Sequence, residues 1–323
     1  MLQAWMRALL AAALLFAHCA LAQAPFPSRP IRFIVSFPPG GSSDLVARAL
    51  APRMSERLGQ QVLVENRPGA GGNIGVDAVA KSPPDGHTIG LGAAGALAIN
   101  PSLYPNMPFD PVKDLAPVSL LALIPIVIAA HPSVGASNVK ELIAAAKSQP
   151  GKLSFGTTGQ GSAMHLAGEM LNLMAQISMV HVPYKGSGPA AADLAGGQLP
   201  VAIVDLTSAL PHIRSGRVKA IAVTGASRSI TAPEIPTVAE SGVPGFDAVG
   251  WFGVVAPAGT PAPVIARLNA EIVDGMKAPE IRERLLAGGA EPATSSAEEF
   301  GRFIRSEVPK WANVIKSAGV KVN

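Results

Sequence analysis

Twice in this chain a short apolar run gives way to a turn rich in glycine and hydroxyl residues and then to a helix-period segment. The first instance reads "IRFIVSF", "PPGGSSD", "LVARAL"; the second reads "KLSFG", "TTGQGSA", "MHLAGEM", with Gly41 and Gly161 standing 120 positions apart. A strand that ends in a bare glycine turn at a helix start offers backbone N–H groups and the positive end of the helix dipole, which together suit an anion. Two such turns constrain the fold to two α/β lobes with their strand ends facing one another across a cleft. Runs such as "QVLVEN", "TIGLG", "SMVHVPY", "VAIVD", "VKAIAVTG" and "WFGVVAP" alternate with helix-period stretches. That alternation is the pattern of mainly parallel sheets flanked by helices. Ser296, three residues before Glu299, predicts a capping box for the last helix. Pro52 falls inside the first helix, where it removes a backbone hydrogen bond and predicts a kink or break.

Residues 1–24 read as an export leader. Arg7 supplies the positive end, "ALLAAALLFAHCALA" the apolar stretch, and Ala20-Leu21-Ala22 the small-residue cleavage site. The apolar stretch is shorter than the ~20 residues of a bilayer span. Cleavage near Gln23 removes Cys19, the chain's one cysteine, so the mature protein has no disulfide. Losing Arg7 also lowers the formal net charge from +4 to +3. The remaining basic residues form no run, which leaves no footprint for nucleic acid or membrane. The lobes are expected at residues 25–123 with 250–323, and at 124–249. The terminal helices follow "WFGVVAP" back to the first lobe, so the chain crosses between lobes more than once.

In the first turn, Gly40 and Gly41 remove side chains so that a ligand reaches the amides. Pro38 and Pro39 stiffen the loop, Ser42 or Ser43 caps the helix, and Asp44 orders the loop by hydrogen bonds. In the second, Thr157, Thr158, Gly159, Gly161 and Ser162 form a cradle of amides and hydroxyls. It has no P-loop lysine, no dinucleotide fingerprint and no G-x-S-x-G elbow. His165 and His181 have no carboxylate or cysteine companion at metal-ligand spacing, so no metal and no cofactor are expected. "HVPYKGSGPA" offers Tyr184 as an aromatic wall, Lys185 as a cation and Gly186 as a further glycine turn. Asp205 is either a helix cap or the partner of a ligand donor. The residues alone leave three readings open: a receptor for an organic acid, a receptor for phosphate or another inorganic anion, and a hydrolase or transferase using Ser162, His165 or Asp44.

"FPPGGSSD", "ENRPGAGGNIG", "SFGTTGQGSAMHLAGE", "HVPYKGSGPA", "AVTGASRS", "IPTVAESGVPGF" and "APAGTP", in this order, closely resemble the Bug-type solute-binding receptors of tripartite tricarboxylate transport systems. The resemblance covers essentially the whole mature chain. It implies a periplasmic-binding-protein clamshell without catalytic activity. It also implies a small carboxylate ligand, held chiefly by backbone groups and ordered water between two glycine loops, and delivery to an inner-membrane permease. A monomer is expected. Carried onto this sequence, the site comprises Phe37, Gly40, Gly41, Ser42 and Asp44 on one side. On the other are Thr157, Thr158, Gly159, Gly161 and Ser162, lined by Tyr184, Lys185, Gly186 and Asp205. "GAAGAL", at residues 92–97, stands where the family often carries Thr or Ser, so a side-chain donor is lacking there.

Overall fold

The computed structural model describes residues 26–321, and the expected leader lies outside the described residues. In chain order the first half runs β1 (Ile31–Val35), α1 (Ser42–Leu58), β2 (Val62–Asn66), α2 (Asn73–Ala80), β3 (Thr88–Ala93), α3 (Asn100–Leu103), β4 (Leu115–Ile124), β5 (Ile126–Ala130) and α4 (Val139–Ser148). There follow β6 (Ser154–Thr157), α5 (Ala163–Ala175), β7 (Val180–Pro183), α6 (Ser187–Ala195), β8 (Val201–Asp205), α7 (Leu206–Arg214) and β9 (Lys219–Val223). The chain ends with β10 (Gly250–Pro257), α8 (Ala262–Lys277), α9 (Pro279–Ala287), β11 (Glu291–Pro292) and α10 (Ala297–Ala318). A six-stranded sheet has the order β11-β4-β10-β3-β1-β2, and a five-stranded sheet the order β7-β6-β8-β5-β9.

Both lobes are α/β, as the alternation predicts, but their sheets are mixed rather than mainly parallel. Strands β1, β2 and β3 run parallel, as do β6, β7 and β8. Strands β4, β10 and β11, and likewise β5 and β9, add antiparallel pairings. The reason lies in the connections. A parallel neighbour needs a helical crossover, whereas β4 passes into β5 through Pro125 alone. The chain returns beside it at β10, where Gly250 pairs with Ile124. The Leu206 amide donates to Pro125 O at 2.9 Å, and the Ala248 amide to Thr224 O at 2.8 Å, so the two crossing segments are tied to their surroundings.

Strands β1 and β3 are buried along nearly their whole length, as sheet interiors covered by helices on both faces require. Trp251, Trp311 and Phe300 are fully buried at the base of α10, each worth about 1.5–3 kcal/mol of burial or more. Glu307, also buried, accepts both indole N–H groups, from Trp251 at 3.2 Å and Trp311 at 2.9 Å. The capping box forms as read: Ser296 Oγ accepts the Glu299 amide at 3.2 Å, and the Glu299 carboxylate accepts the Ser296 amide at 2.9 Å. No break occurs at Pro52. Helix α1 runs through it with Val46, Leu50 and Met54 buried on either side, because that packing outweighs one lost backbone bond.

Candidate functional site

The parallel portion of each sheet ends in a set of loops, and those loops are laced together. In lobe one, Ser36 Oγ donates to Leu91 O at 2.9 Å, joining the ends of β1 and β3. Asn66, at the end of β2, donates from Nδ2 to Phe37 O at 3.0 Å and to Asp44 Oδ1 at 2.9 Å. In lobe two, the Tyr184 amide donates to Thr157 O at 3.0 Å, and the Asp205 amide to Ser187 Oγ at 3.3 Å. Close contacts across the two lobes include two at glycines. A Cβ at Gly161 would fall 2.6 Å from Leu103 Cδ2, and one at Gly289 would fall 1.2 Å from Thr207 Oγ1. Gly288 in turn lies against Leu45 of α1.

The first loop is the open one. Its N-cap residue is Gly41, with no side-chain cap, so the expected cap by Ser42 or Ser43 is not made. Both serines lie inside the first turn. As a result the amides of Gly41, Ser42, Ser43 and Asp44 have no hydrogen-bond partner among the described residues. A side chain at Gly41 would meet nothing within 4 Å, and its φ of −86° is one that any residue adopts. Asp44 does order the loop: its carboxylate accepts the Gly40 amide at 3.1 Å, Arg48 Nε at 2.9 Å and Asn66 Nδ2 at 2.9 Å. Burial pushes the Asp44 carboxyl up, but the hydrogen bonds from Arg48, Gly40 and Asn66 and the Arg48 charge outweigh it and hold the group below the ordinary carboxylate value. Asp44 is therefore an ionised strut, and Phe37 is tied into the same strut through its carbonyl.

The second loop is closed on itself. Ser162 caps α5, its Oγ accepting the His165 amide at 3.1 Å while donating to Gly159 O at 2.8 Å. The Gly159 amide donates to Thr157 Oγ1 at 3.3 Å, and the Gly161 amide to His165 Nδ1 at 3.1 Å. Thr157 is fully buried. The glycine amides read as ligand donors are thus occupied, because Thr157, two residues before Gly159, and His165, four residues after Gly161, reach them. The amides of Thr158 and Gln160 remain without a partner among the described residues.

Lobe two has its own bare helix start, one loop further along. Helix α6 begins after Gly186, at φ +118°, with no side-chain cap and open space at that glycine. Lys185 stands exposed beside it. Tyr184 is half-buried: its ring packs against the lobe-two core, and its hydroxyl is engaged, donating to Asp193 Oδ2 at 2.8 Å. Burial first, then the Asp193 hydrogen bond and charge, raise the phenol above its ordinary value. Of the two roles open to Asp205, the structure makes it the cap of α7, accepting Ser208 N at 2.9 Å and Ser208 Oγ at 2.8 Å.

The sequence reading missed three features. Residues 69–72 all have positive φ, curling "GAGG" around the first loop. A Cβ at Gly72 would lie 3.3 Å from Ser36 Oγ and 3.5 Å from Phe37 Cζ. Below them Asn100 Nδ2 donates to Asn73 Oδ1 at 2.7 Å, a buried amide pair joining α2 to α3. A π-helical turn, Gly95–Ile99, sits on this pair, and such turns concentrate at functional sites. Three glycines in four residues was the signal for the first of these; nothing local marked the asparagines or the π turn.

Two α/β lobes, crossed twice by the chain, with bare helix starts at the ends of parallel strands, define a solute-binding clamshell. Comparison with known proteins gives the family. Residues 46–320 match the tripartite tricarboxylate transporter family receptor, TctC, and the chain belongs to that family of periplasmic solute-binding receptors. It is 41% identical over 298 residues to the protein BugT of Bordetella pertussis, covering 92% of this chain and 91% of that one. A solved structure of Rpa4515 from R. palustris with adipate shares 36% identity and a TM-score of 0.81, covering 92% of this chain and 99% of the other. The MatC protein of Rhodopseudomonas palustris with bound malate shares 32% identity and a TM-score of 0.77, covering 90% and 100%. Among the described residues no helix is long and apolar enough to cross a membrane.

Proposed function

We propose that this protein is an exported receptor that closes on a small organic carboxylate, a di- or tricarboxylate or a related acid, and presents it to the inner-membrane permease of a tripartite tricarboxylate transporter. The observation that carries the reading is the first loop: four consecutive amides, Gly41 to Asp44, lack partners under open space, at the positive end of a 17-residue helix. Their geometry suits a carboxylate, and the adipate- and malate-bound relatives support that ligand class. Lobe two contributes the start of α6 at Gly186 with Lys185, and the amides of Thr158 and Gln160. The lobes divide at residues 25–123 with 250–323 and at 124–249, hinged where Pro125 and Val249 lie beside each other. Residues 1–24 serve as the cleaved leader, and the mature receptor is a monomer.

The receptor performs no chemistry on its ligand. Ser162 Oγ is held by Gly159 O and the His165 amide, and the His165 nitrogen nearest the loop accepts Gly161, so serine and imidazole are not paired as nucleophile and base. Calorimetric titration with adipate, malate, citrate and inorganic phosphate tests the ligand class, alongside native mass spectrometry of gently purified protein. Binding of at least one of the organic acids is expected. Binding of phosphate alone would replace this reading with that of an inorganic-anion receptor.

A further inference from the structure

Beneath the second loop lie two imidazoles that ligand binding, as described above, does not use. His165, in the first turn of α5, and His181, in β7, stack with ring centroids 3.7 Å apart and planes 17° apart. His165 is 4% exposed. Its Nδ1 accepts the Gly161 amide, so that nitrogen carries no proton and the ring proton sits on Nε2, 3.7 Å from Glu169 Oε1. His181 Nε2 lies 2.7 Å from Thr157 Oγ1, the same hydroxyl that accepts the Gly159 amide. One imidazole therefore fixes Gly161 directly, and the other fixes Gly159 through Thr157.

We propose that His165 and His181 are positioning residues whose neutral, stacked state locks the amides of Gly159 and Gly161 inward, leaving those of Thr158 and Gln160 for a ligand. The inference rests on the carboxylate-receptor reading for its ligand, and on the loop geometry alone for the lock. A buried amide that loses its acceptor bears the full cost of desolvation, so removing the Nδ1 acceptor releases the Gly161 N–H from its inward position. Burial, and then His165, push His181 down to about 3, so this ring stays neutral while the loop is intact.

The test uses the full mature protein, ¹⁵N-labelled, with adipate and malate as probes. Wild type at neutral pH should show a through-hydrogen-bond coupling between the Gly161 nitrogen and His165 Nδ1. His165→Asn places an amide oxygen where Nδ1 stands and should bind either acid within about twofold of wild type, whereas His165→Leu, which has no acceptor, should lose roughly fivefold or more. Absence of the coupling, or equal affinities for His165→Asn and His165→Leu, would overturn the proposal. If neither acid binds, the ligand reading fails, while the coupling still decides the lock.

Discussion

Gly41 and Gly161 hold corresponding places in two turns of similar composition, yet they are glycine for different reasons. Gly161 sits at φ +75° under Leu103, where any side chain is both strained and obstructed. Gly41 has an ordinary φ and open space above it, so neither the backbone nor its neighbours demand glycine there; under the proposed function, an incoming carboxylate does. The capping differs in the same sense. The second helix start is closed by Ser162 and by His165 reaching back to Gly161, whereas the first is left open and Asp44 takes only the Gly40 amide. A glycine-rich turn at a helix start therefore keeps its amides free for an anion only where no nearby side chain reaches them.

Gly161→Val should produce the largest effect in this pair. Positive φ at a β-branched residue and the overlap with Leu103 each cost about 1–3 kcal/mol, so a loss of roughly 3 kcal/mol of stability is expected by denaturant titration. Gly41→Val should cost about 1 kcal/mol or less of stability, as for a poor N-cap residue, while weakening binding of the preferred acid more than about tenfold, or about 1.4 kcal/mol. Equal stability losses at the two glycines would remove the contrast between them. Ser162→Ala should lose about 1 kcal/mol through the missing cap, whereas Ser42→Ala, with no cap to lose, should stay within about 0.5 kcal/mol. Lys185→Ala deletes an exposed charge and should cost well under tenfold in affinity, acting mainly on association rate and its salt dependence. Stopped-flow binding at low and high salt would check it, and abolished binding would shift the site from backbone to charge.

The two turns also differ in how they should respond to acid. The folded state holds His181 at about 3 against an ordinary 6.5. The stability that goes with keeping it neutral is fully present above pH 6.5 and is lost as pH falls toward the folded value, because the unfolded chain takes up a proton that the folded one does not. Asp44, held below 3.8, withdraws its contribution only at lower pH, as its carboxyl takes up a proton. Thermal melts of His181→Gln should therefore be flatter than wild type between about pH 6.5 and 4.5. Parallel melting profiles over that range would contradict the assignment.

Much of the fold was legible because hydrophobic period and turn chemistry agree along the chain: the strands from "IRFIV" to "WFGVVAP", the Ser296 and Glu299 box, and the two crossings. The mixed sheets were not, since β4 and β5 read as one apolar run and their partners lie about a hundred residues away. At the site, sequence identified the loops but not which amides are free. That depends on Ser162, His165 and Thr157 folding back on one loop, and on Ser42 and Ser43 failing to do so on the other. The buried Asn73 and Asn100 pair is a contact across 27 positions, invisible to any local pattern.

The central claim, that the open amides of the first loop receive the ligand's carboxylate, is tested most directly by amide chemical shifts during titration of ¹⁵N-labelled protein with the acid that calorimetry identifies. The account predicts that the largest downfield proton shifts fall on Gly41, Ser42 and Ser43, while Gly159 and Gly161, already bonded to Thr157 and His165, move little. Large shifts at Gly159 and Gly161 with the first loop unmoved would contradict it.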